Sequence, residues 1–143
     1  MSESATARLD QSATQVTPVS SGKLWTGRVL SCLPALFLLF DGAMKLAKPE
    51  FVVKATVQLG YPEGAIVPLG LVLLAATILY VIPRTSVLGA ILLTGYLGGA
   101  VATHVRVGAG AFEILFPVIF GALLWGGLLL RDSRLREVIP LGH

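Results

Sequence analysis

The chain has 143 residues, of which 55% are hydrophobic and only 13% are charged, and its formal net charge is +3. Soluble domains are about one quarter charged, and a mean hydropathy of +0.81 leaves too little polar surface to cover a soluble fold of this length. The basic residues are scattered and do not alternate with aromatic residues, so no nucleic-acid partner is expected. We therefore predict an integral membrane protein whose main partner is the lipid bilayer.

Residues 1–23 form a polar segment that is rich in serine and threonine and poor in large apolar residues. This composition is typical of a disordered tail and lacks the short basic start of a cleaved signal peptide. We expect a four-span membrane domain over residues 24–131, followed by a short cytoplasmic tail over residues 132–143.

The first predicted span is short of apolar residues. Only 12 uncharged residues separate Arg28 from Asp41, whereas a helix needs about 20 residues to cross the hydrocarbon core. We predict that the helix begins at Leu24 and ends before Lys48-Pro49, since the residue before a proline disfavours helix. It then carries Asp41 and Lys45 below the membrane surface, four residues apart on one face, where they can pair.

Residues 48–63 connect the first two spans and have an apolar face of their own. The residues at helical spacing in this segment are Phe51, Val52, Ala55 and Leu59. Gly60-Tyr61-Pro62 then marks a turn. We predict a short amphipathic helix that lies on the membrane interface.

Three further stretches have the length of a membrane span. Residues 64–83, 85–103 and 114–130 contain no charged residue over 20, 19 and 17 positions. These runs are continuous and rich in Leu, Ala and Gly, which favours helices over alternating strands. The predicted fold is all-α: a four-helix transmembrane bundle with a short interfacial helix between spans one and two. Gly95 and Gly99, spaced as GxxxG, are predicted to pack inside this bundle.

The distribution of Lys and Arg predicts the orientation. Four spans put both termini on one side, which holds seven Lys and Arg residues, while the opposite side holds four. The positive-inside rule therefore predicts that both termini are cytoplasmic and that the protein is a multi-pass protein of the cell membrane.

The candidate site lies at the end of the bundle opposite the termini, where spans one, three and four are expected to meet. The ionisable residues expected there are Asp41, Lys45, His104, Arg106 and Glu113. Ionisable groups inside a membrane usually face the bundle interior and often mark function. We therefore predict that this end binds a ligand or relays protons.

Tyr96 lies two turns before His104 and is predicted to extend the site inward. Acids, bases and a histidine that titrates near neutrality can bind a polar headgroup, an anion or a quinone ring, or can relay protons. The same groups can instead pair only with one another and fix the helices, so both interpretations stay open. No metal site is expected, because Asp41, His104 and Glu113 match no ligand spacing and lie beside cations.

Four segments carry a resemblance to a known family. They are DGAMKLAKP (41–49), LGYP (59–62), PRTSVLGAILLTGYLGGAVATHVRVG (83–108) and WGGLLLRDSRLREVIP (125–140). With these segments the chain resembles the DoxX-like family of small four-helix bacterial membrane proteins. Asp41, Lys45, His104 and Arg106 are the candidate site residues that fall on the matching motifs.

The resemblance also implies a class of function. The family takes its name from a subunit associated with thiosulfate:quinone oxidoreductase, and other members are linked to membrane-bound oxidoreductase complexes. It thus implies a subunit or accessory of a membrane oxidoreductase or quinone-linked system, which binds quinone as a cofactor or docks a redox subunit as a partner. Cys32 is the only cysteine, so the chain has no redox thiol pair of its own. A binding or transport-like module for a small polar or lipidic molecule, and a structural bundle without chemistry, stay open as alternatives.

Overall fold

A computed structural model describes residues 20–139, and in this range the chain folds into helices joined by short connections. The helices are α1 (Ser21–Ala47), α2 (Glu50–Gln58), α3 (Ile66–Val81), α4 (Ser86–Arg106), α5 (Ala111–Arg131) and α6 (Ser133–Val138), with a 3-10 turn at Glu63–Ala65 before α3. Residues 1–19 of the predicted disordered tail and residues 140–143 of the predicted C-terminal tail lie outside the described residues.

Four helical segments in the described range are long and apolar enough to cross a bilayer. They are α1, the 3-10 turn with α3, α4 and α5, with lengths of 27, 19, 21 and 21 residues. A helix of 21 residues is about 31 Å long, which matches the thickness of the hydrocarbon core. Large apolar side chains such as Leu33, Phe40 and Phe112 are exposed on the outside, as a lipid-facing surface requires. The predicted all-α, four-span fold is confirmed.

The first helix passes through the charged residues as predicted. It begins at Ser21, three residues before the predicted start, and ends at Ala47, after which Lys48 adopts a left-handed conformation with φ of 52°. The short helix predicted between spans one and two is present as α2. Phe51 on α2 is exposed, whereas Thr56 is buried. The side of α2 that faces the protein therefore includes a polar residue, which the spacing of the apolar residues did not predict.

The four long helices pack in a ring in which α1 and α4 lie diagonally opposite. α1 packs against α3 and α5, and α4 packs against the same two helices. We call the end that holds α2 and the α4–α5 connection the loop end, and the end that holds Ser21, the α3–α4 turn and α6 the termini end. The sequence predicts that spans one, three and four meet at the loop end; spans one and four pack against each other, whereas span three lies across the bundle centre from span one.

Gly95 and Gly99 do not pack inside the bundle. Nothing in the described structure lies within 4 Å of a Cβ built on either residue. The buried residues of α4 include Leu93 and Leu97, and a step of two residues turns an α-helix by about 200°. The two glycines therefore lie on the side of α4 opposite its core face, and the prediction that they pack inside is wrong.

Tyr80 joins three helices inside the core and is fully buried. Its hydroxyl donates to the Leu124 carbonyl oxygen at 2.7 Å and lies 3.0 Å from the Ser31 hydroxyl. A phenol has one proton, and a carbonyl oxygen only accepts, so the Ser31 hydroxyl is left to donate to the phenol oxygen. This one side chain links α3, to which it belongs, with α1 and α5.

We expect Tyr80→Phe to lower the free energy of unfolding by about 1–3 kcal/mol, because the ring still fills the core while two buried polar groups lose their partner. Thermal denaturation in detergent, followed by circular dichroism, measures the change. Thr26→Ala is the control, since its exposed hydroxyl bonds only the Gly22 carbonyl one turn earlier. If both variants melt like the wild type, the Tyr80 hydroxyl does not link the helices.

Candidate functional site

Asp41 and Lys45 form an ion pair one turn apart on α1, close to the loop end. The side chain of Lys45 is 15% exposed and that of Asp41 is 36% exposed, so the cation is the more deeply buried partner. Burial of charges carries a desolvation penalty that mutual attraction offsets when the partners are in direct contact. Lys45, the more deeply buried partner, therefore depends on its contact with Asp41, and the four-residue spacing predicts this contact.

A close crossing of α1 and α3 buries the stem of Lys45. A Cβ built on Gly70 would lie 2.8 Å from the Lys45 Cβ and 3.1 Å from the Gly42 carbonyl oxygen. A Cβ on Gly42 would in turn lie 2.7 Å from the Leu74 side chain. Glycine at both positions lets the two helices meet this closely. Sequence reasoning missed these glycines because they form no pattern within either helix.

Tyr96 approaches the ion pair from α4, across the centre of the bundle. The ring packs against the core, and the phenol lies within electrostatic range of the Asp41 carboxylate and of Tyr61. The structure thus joins two of the six predicted site residues, Asp41 and Lys45, by direct contact, and it places Tyr96 within electrostatic range of Asp41 without a hydrogen bond between them in the described residues. We call Asp41, Lys45 and Tyr96 the polar cluster.

Tyr61 and Thr103 connect the α2–α3 connection to α4 beside the cluster, and sequence reasoning missed both as site residues. Their hydroxyl oxygens are 2.8 Å apart, and Thr103 donates to the Gly99 carbonyl at 2.8 Å, so Tyr61 is the donor between them. Thr103 lies seven residues after Tyr96 on α4, so its direction around the helix axis is within about 20° of that of Tyr96. The direction of His104 differs from that of Tyr96 by about 80°. The helical period could have identified Thr103 as the inward-facing residue.

His104 hydrogen-bonds within its own helix. Its Nδ1 lies 2.7 Å from the Ala100 carbonyl oxygen. Because a carbonyl only accepts, this contact assigns the proton of a neutral ring to Nδ1 and leaves Nε2 as an acceptor. The ring is partly exposed, and within the described residues Nε2 has no hydrogen-bond partner.

Arg106 fastens the α2–α3 connection to the end of α4. Its guanidinium donates to the Leu59 carbonyl oxygen at 2.6 Å. The adjacent Gly60 has φ of 86°, and a Cβ there would lie 2.9 Å from the guanidinium, so both conformation and space favour glycine. A cation at the end of the glycine-rich α4 therefore holds a loop in place, outside the polar cluster.

Glu113 is exposed in the first turn of α5. Its carboxylate folds back over Gly110, to within 2.7 Å of the position that a Cβ there would occupy. An acid at this position interacts favourably with the helix dipole. Within residues 20–139 its carboxylate takes part in no ion pair, so the structure does not join it to Asp41 and Lys45.

Two cavities in the described structure lie away from the polar cluster. One of about 350 Å³ is a largely apolar groove between α4 and α5, in which Trp125 donates to the Thr94 hydroxyl at 2.8 Å. The other, of about 260 Å³, lies at the termini end. No group of three or more His, Cys, Asp and Glu residues between positions 20 and 139 is placed to hold a metal ion.

Fold and site together define a multi-pass membrane protein of four helices with an ion pair inside its first span. A family model described as the DoxX-like family matches residues 29–127, and the chain belongs to this family, as its motifs predict. Comparisons with curated proteins and with solved structures find no match. The matched range includes the whole polar cluster.

Proposed function

We propose that this protein is a membrane subunit or accessory of a quinone-linked oxidoreductase system and that the polar cluster binds the quinone headgroup. The observation that carries the proposal is the ion pair of Asp41 with the mostly buried Lys45. Ionisable groups at such positions are unfavourable in a membrane, and they are generally found where a pathway or ligand needs them. The origin of the DoxX name, in a subunit associated with a quinone oxidoreductase, is the reason for choosing this class of function.

The groups of the cluster suit a quinone ring. Quinone oxygens accept hydrogen bonds, and the Lys45 ammonium and the Tyr96 hydroxyl are donors. Asp41 accepts a hydrogen bond from the Lys45 ammonium and so fixes its direction. The chain has a single cysteine, so we propose that electrons come from a partner subunit. We assign proton exchange to His104, whose Nε2 is free to accept within the described structure.

We further propose that both termini are cytoplasmic and that the polar cluster lies near the outer face of the cell membrane. The basic residues described at the termini end support this orientation through the positive-inside rule. They are Lys23, Arg28, Arg84, Arg131, Arg134 and Arg136. Arg106 and Glu113 would then lie at the outer surface, where Arg106 holds the α2–α3 connection.

Photoaffinity labelling with an azido-quinone, followed by peptide mapping, tests this proposal in isolated membranes. We expect the label on residues 41–47 or next to Tyr96. Lys45→Met should reduce labelling about tenfold, because the quinone loses one charge-assisted hydrogen bond. Lys54→Met is the matched control, because Lys54 also pairs with an acid four residues away, at 2.7 Å, but is 69% exposed. Labelling that is the same in both variants would contradict a quinone site at the cluster.

The groove between α4 and α5 favours one alternative, a binding module for a lipidic molecule. Its lining is largely apolar, and the hydrogen-bonded Thr94 and Trp125 provide a polar edge. Label found only on the groove residues Leu97 and Val118 would favour this alternative over a quinone headgroup at the cluster.

A further inference from the structure

The cavity at the termini end is lined by both charged and apolar side chains. Its volume is about 260 Å³, and its lining residues are Leu24, Arg28, Pro83, Ser86, Leu128, Arg131 and Asp132. The start of α1, the start of α4 and the end of α5 therefore meet around one space. Two of the seven lining residues are arginines, Arg28 on α1 and Arg131 on α5, and these two helices pack against each other.

The two guanidinium groups have unused hydrogen-bonding capacity. Arg28 forms no ion pair within residues 20–139. Arg131 lies 5.0 Å from the centre of the Tyr80 ring and donates to the Tyr80 carbonyl oxygen at 3.3 Å, which uses one of its five N–H donors. The Asp132 carboxylate accepts from the Arg134 backbone N–H at 3.0 Å. The single acid of the cavity is thus engaged in starting α6 and does not pair with either arginine there.

We propose that this cavity binds the phosphate group of an anionic phospholipid. Guanidinium groups bind phosphate oxygens through paired hydrogen bonds, and basic pockets between membrane helices are typical sites for anionic headgroups. Leu24 and Leu128 supply the apolar part of the lining. Trp25, next to Leu24, is 66% exposed, and such a residue places this level of the bundle at the membrane interface. An ester phosphate at the head of two acyl chains fits both kinds of surface.

The proposal is independent of the quinone function, since the cavity lies at the opposite end of the bundle and shares no residue with the polar cluster. It also gives the termini end a specific lipid contact, whereas the positive-inside rule describes only a general preference for charge.

Lipid titration of the full-length protein in mild detergent, measured by native mass spectrometry, tests the proposal. Phosphatidylglycerol is the anionic probe, phosphatidylcholine is the neutral probe, and glycerol 1-phosphate is the soluble source of the same group. Arg28→Gln is the main variant, and Arg131→Gln is the second, checked for folding by its melting temperature because Arg131 also contacts Tyr80. Arg84→Gln is the matched control, since Arg84 is exposed at the same end and does not line the cavity.

We expect phosphatidylglycerol to bind the wild type about tenfold more tightly than phosphatidylcholine, and Arg28→Gln to remove most of this difference. Arg84→Gln should retain it. Equal binding of the two lipids, or equal effects of Arg28→Gln and Arg84→Gln, would overturn the proposal. Glycerol 1-phosphate that competes as well as the lipid would overturn the assignment of a membrane lipid as the ligand.

Discussion

Gly89→Ala is expected to lower the free energy of unfolding by about 3 kcal/mol. An added side-chain atom in a packed core typically costs about 1–3 kcal/mol, and the cost is highest where the surrounding atoms cannot move. A Cβ on Gly89 would lie 2.5 Å from the Tyr80 Cα and 2.7 Å from the Leu79 carbonyl carbon. Both atoms belong to the backbone of α3, so no side chain can rotate to make room. The tight α3–α4 turn holds the two helices together here, and Thr85 reinforces it by donating to the Leu79 carbonyl oxygen at 2.8 Å.

Gly99→Ala is the matched control on the same helix, because nothing in the described structure lies within 4 Å of its added Cβ. Alanine also has a higher helix propensity than glycine, by about 1 kcal/mol, so this variant should be as stable as the wild type or slightly more stable. Thermal denaturation in detergent should show Gly89→Ala melting roughly 10 °C below the wild type. Equal melting temperatures for the two variants would contradict the described packing of α3 on α4.

Asp41→Asn is expected to produce the second large loss of stability, about 2–3 kcal/mol, because it leaves the mostly buried Lys45 without its counter-charge. Lys45→Met should have a smaller effect, since the remaining Asp41 is 36% exposed and can be hydrated. The double variant should recover most of the loss from Asp41→Asn, because replacing both members of a buried pair is often close to neutral. Chemical denaturation of the three variants forms a double-mutant cycle that measures the coupling.

The control for this cycle is the exposed pair of Glu50 and Lys54 on α2, which has the same four-residue spacing. Exposed pairs contribute at most about 1 kcal/mol, so Glu50→Gln should change stability far less than Asp41→Asn. If the two pairs show the same small coupling, the Asp41–Lys45 pair is hydrated, and its burial as described is wrong.

The sequence predicts those parts of the structure that depend on local pattern. The continuous apolar runs identify the four spans, and the shortage of apolar residues before Asp41 predicts correctly that α1 continues through the ion pair. Helix length and hydropathy are properties of one segment, and a four-residue spacing determines a shared face without knowledge of the neighbours. For this reason the fold class and the Asp41–Lys45 pair could be derived before the structure.

The contacts between helices could not be derived in the same way. The ring order places α4 diagonally from α1, and the length of each span says nothing about this order. Arg106 contacts the backbone of a distant loop at Leu59, which no spacing in the sequence indicates. Gly42 and Gly70 meet only because α1 crosses α3 at that level. Single-sequence reasoning therefore grouped the polar residues by the end of the helix on which they lie, but it could not say which of them touch.

The central claim is that the polar cluster binds a ligand, and native mass spectrometry of protein released from membranes in mild detergent tests it most directly. We predict that the wild type and Lys54→Met retain a quinone or a redox subunit and that Lys45→Met loses it while staying folded. The claim would be contradicted if the wild type is repeatedly isolated without a bound molecule, or if all three proteins retain the same bound species. The ion pair would then have a structural role alone.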